Sequence, residues 1–446
     1  MPPVVRFAPS PTGYLHLGNA RIAVVNWLFA QKEGGRLILR IDDTDVERSE
    51  ARFEAAIRED LTWLGLSWQQ EVRQSDRTAL YEAAFARLVA EGRVYPCYET
   101  QEELAALRER QRAAGQPPRY DRRALALSPT DRARLEAEGR RPHWRLLLPE
   151  GEIGFGDLLL GPRRFPTASL SDPVLRRADG SATYLFASAV DDADLSVSHV
   201  IRGEDHVTNT VLQLAIWAAL GEEPPAFAHL PLISDAAGRS FSKRLGALSL
   251  RALREQGIEP MAIVLTLAAL GTAEAADPAL GMSDLVARFS LEAYGRAAPK
   301  LVVDDLPRFS KAVLHHLPFA AVASRLAALG LDRADEAFWC AVRGNLDRLE
   351  DARDWWEVCT RPLRPVIADP ELLAAAAELL PQDVGDEAAF TAWIDALKVR
   401  TGRKGKALFR PLRLALTARE HGPELKHLLP LLGRDRAWHR LRGETA

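Results

Sequence analysis

Residues 6–19 read RFAPSPTGYLHLGN, and this stretch decides the fold. It begins inside Val4–Phe7, which reads as a buried strand, and it leads into apolar residues at helical spacing, Ile22, Val25 and Phe29. Prolines fix the backbone of the connecting loop, and glycines let a ligand approach the main chain closely. The stretch therefore predicts a strand, a rigid loop and a helix whose N-terminus favours an anion such as phosphate.

The same alternation of strand and helix continues along the chain, with one interruption. Residues 36–41 read as a second strand and residues 78–90 as a helix. Between residues 95 and 184 the alternation gives way to a charged helix at 101–114, a proline-rich break and short strand-like pieces. It resumes at residues 199–220 with a strand and an apolar helix. The pattern predicts an α/β nucleotide-binding fold that an insertion splits, with ligands beyond its strand ends.

Beyond residue 300 the pattern changes. Strand signals fade, and apolar residues recur at helical spacing, as at Val322, Leu326 and Leu329. The C-terminal part of the chain is therefore predicted to form a separate all-α domain.

Composition limits the class of protein. The 446 residues, 47% of them hydrophobic, are too many for one ordinary domain, and a net charge of -3 neither demands nor excludes a nucleic-acid partner. Three cysteines lie far apart, so they form neither a disulfide framework nor a CxxC metal pair. The N-terminus lacks the regions of a signal peptide, and the strongest apolar run, residues 261–270, is shorter than the roughly 20 residues of a membrane span. We expect a soluble, cytoplasmic protein.

Two motifs carry the candidate chemistry. His16, just before the first helix, can donate to a phosphate oxygen. Lys243 lies in the loop SFSKR, residues 240–244, and its flexible ammonium can follow negative charge as it develops on departing phosphates. Taken alone, His16 reads better as a cap or packing residue, and the loop as an ordinary basic surface segment. Their occurrence together, on opposite sides of an insertion, favours catalysis.

In this order the two motifs resemble the His-(Ile/Leu)-Gly-His and Lys-Met-Ser-Lys-Ser signatures of class I aminoacyl-tRNA synthetases. Asn19 replaces the second histidine of the first signature, and SF at residues 240–241 replaces the Lys-Met of the second. The stretches FAPSPTG at 7–13, LRIDDTD at 39–45 and VDD through HVIRGEDH at 190–206 narrow the resemblance to the glutamyl branch. The likeness runs nearly end to end.

The resemblance implies an activity and a domain organisation. It implies activation of L-glutamate with ATP to glutamyl-adenylate, release of pyrophosphate, and transfer of glutamate to the 3′-terminal adenosine of tRNA(Glu). It also implies a split Rossmann-type catalytic domain at 1–94 and 185–235, and an inserted tRNA acceptor-binding domain at 95–184. A connecting domain with the SKR loop at 236–305 and an α-helical anticodon-binding domain at 306–446 complete the chain.

Site residues follow from the same resemblance, position by position. His16 and Lys243 are the expected catalytic residues. The expected ATP-binding residues are Pro9, Ser10, His16, Gly18, Asn19, Asp205, His206, Ile233, Ser242, Lys243 and Arg244. The expected glutamate-binding residues are Arg6, Ala8, Ser10, Asp42, Tyr184, Ser188 and Arg202.

The charges of glutamate give an independent check on this set. Two carboxylates and one ammonium need two cationic partners and one anionic partner, and Arg6, Arg202 and Asp42 match that count. The resemblance assigns Arg6 to the side-chain carboxylate and Asp42 to the α-amino group. Relatives usually carry Glu at position 42 and often Asn at position 188, so the contacts of Asp42 and Ser188 must be remade here. For an isolated arginine, a structural ion pair remains the alternative.

The resemblance also implies cofactors and partners. ATP would act with Mg²⁺. No structural zinc is expected, because Cys97 alone remains where some relatives hold zinc through several Cys and His residues, and Cys97 reads as a packed thiol. The partners would be tRNA(Glu), with tRNA(Gln) left open, and the chain would act as a monomer. A basic run suits RNA phosphates, although such runs are more often solvated faces: Lys398, Arg400, Arg403, Lys404, Lys406, Arg410 and Arg413.

Three competing interpretations remain. A relative that transfers glutamate to a base within an anticodon would match the catalytic half alone, and the roughly 140 residues after Leu306 argue against it. A glutaminyl-tRNA synthetase would carry a β-barrel at its C-terminal end, whereas this tail reads helical. A non-catalytic tRNA-binding descendant would be expected to lose the signature residues, yet His16 and Lys243 are both present.

Overall fold

A computed structural model of the protein describes residues 1–45, 47–235, 237–238 and 249–446. Its strands are β1 (Val4–Phe7), β2 (Arg36–Ile41), β3 (Gln70–Arg73), β4 (Val94–Cys97), β5 (His143–Leu146), β6 (Glu152–Asp157), β7 (Gly161–Pro166), β8 (Val174–Arg176), β9 (His199–Gly203) and β10 (Ala226–Leu230).

The α-helices in the first 303 residues are α1 (Leu17–Lys32), α2 (Ala51–Trp63), α3 (Thr78–Ala90), α4 (Gln101–Ala113), α5 (Pro129–Ala137), α6 (Tyr184–Asp194), α7 (Val207–Leu220), α8 (Leu250–Glu255), α9 (Pro260–Ala269) and α10 (Met282–Arg288). The later helices are α11 (Leu306–His316), α12 (Phe319–Ala328), α13 (Glu336–Val342), α14 (Ala352–Thr360), α15 (Pro370–Glu378), α16 (Glu387–Thr401), α17 (Lys406–Thr417), α18 (Leu425–Leu432) and α19 (Arg434–Leu441).

Parallel strands form the centre of the first compact unit. One sheet has the order β1-β2-β3, and a second has the order β7-β6-β10-β9, in which β6, β10 and β9 run parallel. Every residue of β1 is buried, Arg6 included, as is typical of a parallel strand that is covered on both faces. The strands predicted at residues 4–7 and 36–41 are confirmed.

Ser198 joins the two parallel sheets at their inner edges. Its backbone N–H donates to the carbonyl oxygen of Val4 at 2.9 Å, and its hydroxyl oxygen accepts from the N–H of Val4 at 2.8 Å. The strand order is therefore β3-β2-β1-β9-β10, and it reverses between β1 and β9. Sheets of this kind bind ligands at such a reversal point, beyond the carboxyl ends of the strands.

The segment predicted as an insertion contributes to two sheets. Strands β4, β5 and β8 form a separate antiparallel sheet, with α4 close to its predicted position. Cys97 is fully buried beside Tyr95, Leu107 and Tyr120, so the prediction of a packed thiol is confirmed. The β6–β7 hairpin, by contrast, joins the parallel sheet through a single pairing of Asp157 with Phe227.

A second compact unit consists of Gln256–Ala262 and Asp304–Ala446, and the first unit comprises Met1–Glu255 and Ile263–Val303. The described residues of the second unit form helices and no strand, which confirms the prediction of a helical C-terminal part. Its apolar side chains gather in two clusters, around Trp339 and Trp355 and around Trp393. Within the described residues, no helix is both long enough and apolar enough to cross a bilayer.

Candidate active site

A cavity of about 340 Å³ lies at the reversal point between β1 and β9, in the first compact unit. The residues that follow β1, β9 and β10 line it together with the first turns of α1. Its described lining consists of Arg6, Phe7, Ala8, Pro9, His16, Gly18, Asn19, Arg21, Ile22, Tyr184, Arg202, Gly203, Asp205, His206, Leu230, Pro231, Leu232 and Ile233.

Most of the residues predicted for ATP and glutamate meet in this cavity. Those in its lining are Arg6, Ala8, Pro9, His16, Gly18, Asn19, Tyr184, Arg202, Asp205, His206 and Ile233. Ser10, Asp42 and Ser188 are described but lie outside the lining. Ser242, Lys243 and Arg244 lie outside the described residues.

His16 caps helix α1 with its ring. Its Nδ1 accepts from the backbone N–H groups of Gly18 at 3.0 Å and Asn19 at 3.3 Å, and burial lowers the pKa of the imidazole. A side chain at position 18 would place its Cβ 2.8 Å from the ring, so only glycine leaves room for this cap. Two N–H groups that the sequence predicted to be free for an anion are thus satisfied. Because Nδ1 accepts, the neutral ring carries its proton on Nε2, which remains able to donate.

Arg40, which the sequence reasoning missed, organises the buried charges beside the cavity. Its guanidinium donates to Asp42 at 2.7 and 3.2 Å, to Asp192 at 2.7 Å and to Ser188 Oγ at 3.1 Å. Asp192 also accepts from Arg6 Nε at 3.3 Å. The side chains of Asp42 and Ser188 are therefore brought together on one arginine. An arginine two residues before a carboxylate in a buried strand was the signal for this pair.

Asp42 is a buried carboxyl group whose pKa is raised. Its side chain is 1% exposed, and burial raises its pKa to about 6 against the opposing effect of Arg40. A carboxyl group of this kind gains from a cationic ligand, because a second positive charge favours its ionised form. Its predicted contact with the α-amino group of glutamate stays a prediction.

Arg202 is a buried cation without an anionic partner among the described residues. It is 4% exposed, and its Nη2 donates to two neutral acceptors, Thr210 Oγ1 at 2.6 Å and Gln213 Oε1 at 2.8 Å. Its Nη1 is buried and has no hydrogen-bond partner among the described atoms. Burial lowers the pKa of Arg202 to about 10. An uncompensated guanidinium of this kind is suited to a carboxylate ligand.

Tyr184, Asp205, His206 and Ile233 also line the cavity. The rings of Tyr184 and His206 lie 5.9 Å apart between centroids. Burial and the positive charge of Arg202 lower the pKa of His206 to about 4, so the ring is neutral at pH 7. Ile233 is buried and lines the cavity, whereas the carboxylate of Asp205 is largely exposed.

Arg21 is a lining residue that the sequence reasoning missed. It is 2% exposed, and it donates to the carbonyl oxygens of Pro231 at 2.6 Å and Leu270 at 3.0 Å. Burial lowers the pKa of its guanidinium. An arginine between Ala20 and the apolar residues 22–25 of α1 was the available signal, because a charge on a buried helix face needs a partner or a ligand.

The chain around the SKR loop starts and ends beside the cavity. Ile233 precedes it in the lining, and on the other side Ser249 forms an isolated backbone bridge with His16. The N–H of Leu250 donates to the carbonyl oxygen of Leu15 at 2.8 Å. Ile233 and Ser249, described residues on either side of the SKR loop, thus both lie beside the cavity lining.

Three potential metal ligands converge in the insertion. The ligand atoms of Cys97, Glu99 and His143 lie within 4.8 Å of one another. A closed structural zinc site takes four ligands. Glu99 Oε1 accepts from the hydroxyl of Tyr120 at 2.7 Å, while Glu99 Oε2 and His143 Nε2 are buried and have no hydrogen-bond partner among the described atoms. Three side chains are one ligand too few for a closed structural zinc site, and the expectation of no structural zinc stays a prediction.

The chain is similar to known proteins over its full length. The family model of class I tRNA synthetases (E and Q), catalytic domain, matches residues 3–306, and that of the anticodon binding domain matches residues 368–444. The chain is 54% identical to glutamate–tRNA ligase 2 of Methylobacterium sp. (strain 4-46), with 100% of both chains covered. It is 52% identical to glutamate–tRNA ligase of Azospirillum brasilense, with 99% of both covered.

A solved structure shows the same likeness in three dimensions. A glutamate tRNA ligase from Elizabethkingia meningosepticum, crystallised in complex with its amino acid, superposes with a TM-score of 0.81 at 25% sequence identity. The match covers 99% of this chain and 98% of that one.

Proposed function

The chain belongs to the class I tRNA synthetase family of the glutamate and glutamine enzymes, and we propose that it is a glutamate–tRNA ligase that charges tRNA(Glu). In the proposed reaction it forms glutamyl-adenylate from L-glutamate and ATP and transfers the glutamyl group to the 3′-terminal adenosine. Its relatives over the full length of the chain carry the name glutamate–tRNA ligase.

The unpaired Arg202 carries this proposal. A buried guanidinium with one unpartnered nitrogen, in a cavity that Arg6 also lines, is costly unless an anionic ligand binds there. Glutamate brings two carboxylates. Arg6 keeps a weaker, 3.3 Å contact with Asp192 and supplies the second cation. Asp42, on the same network through Arg40, supplies the negative charge for the ammonium group.

Positioning supplies most of the proposed catalysis. An α-carboxylate oxygen of glutamate attacks the α-phosphorus of ATP, the bond to the bridging oxygen breaks, and pyrophosphate leaves. His16 Nε2–H donates to a phosphate oxygen, while Lys243 follows the charge that builds on the departing phosphates. A ribose hydroxyl of the tRNA then attacks the activated carbonyl carbon, and AMP leaves. No side chain forms a covalent intermediate in this sequence of steps.

Magnesium and the RNA partners complete the proposal. Mg²⁺, when bound with ATP, would neutralise phosphate charge, and Asp205 is the carboxylate of the described lining that could help to hold it. The inserted segment would contact the acceptor end of the tRNA, and the helical unit would contact its anticodon. The chain would act in the cytoplasm as a monomer, and tRNA(Gln) remains a candidate second substrate.

Aminoacylation with labelled glutamate tests this proposal. Purified tRNA(Glu) and tRNA(Gln) are each supplied to the native protein, to Lys243→Ala and to a control, Lys426→Ala, which removes an exposed lysine paired with Glu387 and Glu424. We expect charging of tRNA(Glu) by the native protein and the control, and a loss of about 100-fold or more in kcat for Lys243→Ala.

The outcomes separate the competing interpretations. If the protein binds both tRNAs and charges neither, it is a non-catalytic RNA-binding descendant. If it transfers glutamate to an internal base of a tRNA rather than to the 3′ end, the proposed ligation is wrong. The relative rates on the two tRNAs decide whether tRNA(Gln) is a substrate.

A further inference from the structure

A buried chain of hydrogen bonds lies behind Arg202, and the reaction steps above do not use it. Arg202 Nη2 donates to Thr210 Oγ1 at 2.6 Å. Thr210 Oγ1 lies 2.9 Å from His229 Nε2, and His229 Nδ1 lies 2.5 Å from Asp157 Oδ2. Thr210 and His229 are 0% exposed and Asp157 is 5% exposed. The chain therefore runs from the edge of the cavity to a carboxylate on β6.

The carboxylate of Asp157 determines which group donates and which accepts in each of these hydrogen bonds. Burial disfavours its charge, but hydrogen bonds from His229 and from the backbone N–H groups of Leu159 and Leu160 hold the pKa of Asp157 below its usual value. An ionised carboxylate accepts only, so His229 must donate its Nδ1 proton. Burial lowers the pKa of His229, so the ring is neutral and its Nε2 accepts. The hydroxyl of Thr210 lies 3.3 Å from the carbonyl oxygen of His206 and 2.9 Å from His229 Nε2, and we assign its proton to the shorter contact. Its oxygen then accepts from Arg202 Nη2, and Arg202 Nε makes a longer contact of 3.4 Å with the same Nε2.

We propose that Asp157 and His229 are positioning residues for glutamate binding, because through Thr210 they fix the orientation in which Arg202 keeps Nη1 available to a substrate carboxylate. This inference rests on the proposed function. Gln213 accepts the second proton of Nη2 at 2.8 Å, so the two acceptors together restrain the guanidinium plane. Asp157 reaches this place because the β6–β7 hairpin joins the parallel sheet.

The variant Asp157→Asn should reverse the donor and acceptor roles along these hydrogen bonds, and it keeps the size of the side chain nearly unchanged. Asp157 Oδ1 accepts from the N–H groups of Leu159 at 2.9 Å and Leu160 at 2.7 Å, and the asparagine oxygen would keep these two bonds. Its amide NH₂ group would then face His229 Nδ1. The ring would have to accept at Nδ1 and carry its proton on Nε2, which lies 3.4 Å from Arg202 Nε. Two donors would then face each other, and Arg202 would be displaced.

Steady-state aminoacylation kinetics test the proposal. For Asp157→Asn we expect a rise of about tenfold or more in KM for glutamate, because Arg202 contacts the substrate in the ground state and the transition state alike. We expect kcat at saturating glutamate and KM for ATP to change by less than about twofold. A general loss of structure would instead lower kcat and disturb both KM values.

Nitrogen-15 NMR of the histidine rings reports the tautomer directly. In the native protein the His229 signal, identified by its absence in His229→Gln, should show a protonated Nδ1 and an unprotonated Nε2. In Asp157→Asn the pattern should be reversed. A native ring with its proton on Nε2 would overturn the proposal.

Two matched controls complete the design. Asp172→Asn changes another buried carboxylate of the same segment, which accepts from Tyr95 and Arg122 and lies outside the cavity lining. It should leave KM for glutamate unchanged. Thr210→Val removes the intermediate hydroxyl and should raise KM for glutamate. Thr210→Ser retains the hydroxyl and should have the KM of the native protein. These two variants test the positioning role if Asp157→Asn fails to fold.

Each negative result has a distinct meaning. A native enzyme that charges tRNA with glutamate, together with an unchanged KM in Asp157→Asn and in Thr210→Val, overturns the positioning role alone. A native protein that charges no tRNA overturns the proposed function, while the tautomer of His229 still tests the hydrogen-bond chain.

Discussion

The imidazole of His16 uses its two nitrogens for different purposes. Nδ1 accepts from the N–H groups of Gly18 and Asn19, and Nε2 keeps the proton of the neutral ring. In the sequence, His16 taken alone reads better as a helix cap or packing residue, and only its occurrence together with the loop at residues 240–244 favours a phosphate donor. The geometry makes the two roles compatible, because capping selects the tautomer that donates.

The variant His16→Asn should separate these two roles. Asparagine is a good N-cap residue, so the free energy of unfolding at pH 7 should fall by less than about 1 kcal/mol. Its short amide does not reach the position of Nε2, and kcat for aminoacylation should fall by about 100-fold. Urea denaturation and labelled-glutamate charging measure the two effects. Equal activity in the variant would remove His16 from the proposed catalytic set.

The same pair of proteins should differ in its response to pH. Burial lowers the pKa of His16 from 6.5 in the folded state, so the stability that its neutral ring contributes is fully present above 6.5 and is lost as the pH falls through the folded value. The native protein should therefore lose stability relative to His16→Asn between pH 7 and pH 5. Denaturation midpoints of both proteins at the two pH values check this, and parallel curves would contradict it.

Loss of the charge should destabilise the protein much more at Arg440 than at Arg202, although both arginines are buried. Arg440 donates to four carbonyl oxygens, of Val358, Arg361, Leu416 and Ala446, whereas Arg202 leaves Nη1 without a partner among the described atoms. Arg440→Met should cost about 3 kcal/mol or more, because four oxygens lose their donor. Arg202→Met should cost less, about 1 kcal/mol, because removal of a buried charge without an anionic partner offsets the loss of its donor at Thr210 and Gln213. Chemical denaturation measures both.

The effect of added glutamate on the melting temperature should also differ between these two variants. It should raise the melting temperature of the native protein and of folded Arg440→Met, since ligand binding stabilises the folded state. It should leave Arg202→Met unchanged. A strongly destabilised Arg202→Met would mean that this guanidinium is a structural group.

At the scale of secondary structure elements, Ser198 joins β1 and the segment before β9 through its backbone N–H and its hydroxyl group. The hydroxyl of Ser198 accepts from the N–H of Val4, in the gap between two sheets that share no ladder. Ser198→Ala would leave that N–H unsatisfied and should cost about 1–3 kcal/mol. Ser169→Ala, which removes an exposed hydroxyl bonded to the carbonyl oxygen of Pro166, should cost less than about 0.5 kcal/mol. Urea denaturation compares the two, and equal midpoints would contradict this account.

The insertion provides a second prediction at this scale. Because Cys97, Glu99 and His143 give three ligand groups and a closed structural site takes four, the purified protein should contain far less than one zinc per chain. Metal analysis after dialysis measures the content. One tightly held zinc per chain, lost in Cys97→Ser, would contradict the expectation drawn from the sequence.

The position of the β6–β7 hairpin in the parallel sheet was not predicted from the sequence. The helices near residues 78–90 and 101–114 were predicted from local periodicity and are confirmed. The hairpin was read as part of the insertion, yet β6 pairs with β10 across some seventy residues of chain. Pairing of distant strands depends on how the segments fold together, and local periodicity contains no signal for it.

At the scale of the whole molecule, ion pairs neutralise part of the basic run near the C-terminus that is predicted to contact RNA phosphates. Lys398 pairs with Asp395, and Arg410 pairs with Glu420. Lys404 and Lys406 are exposed and have no ion-pair partner within the part of the chain that the structure describes. Phosphate contacts of the RNA are therefore expected chiefly at these two lysines.

Salt-dependent tRNA binding tests this expectation. The double variant Lys404→Gln/Lys406→Gln should weaken binding and should reduce the slope of log K against log salt by about one for each lysine that contacts a phosphate. The control Lys398→Gln should have a smaller effect. Equal effects of both variants would mean that net charge, rather than these contacts, determines affinity.

The sequence by itself determined the fold class, the order of the β/α elements and most of the cavity lining. Prolines and glycines at fixed positions constrain the loop at residues 8–18 locally, and local constraints are legible in a sequence. The tertiary structure alone decided which charges are compensated. Arg6, Arg40 and Arg202 look alike in the sequence, but folding pairs Arg40 with Asp42 and Asp192, links Arg6 more weakly, and leaves Arg202 with neutral acceptors. Compensation of a buried charge depends on distances between segments far apart in the chain, and those distances exist only after the sheets have assembled.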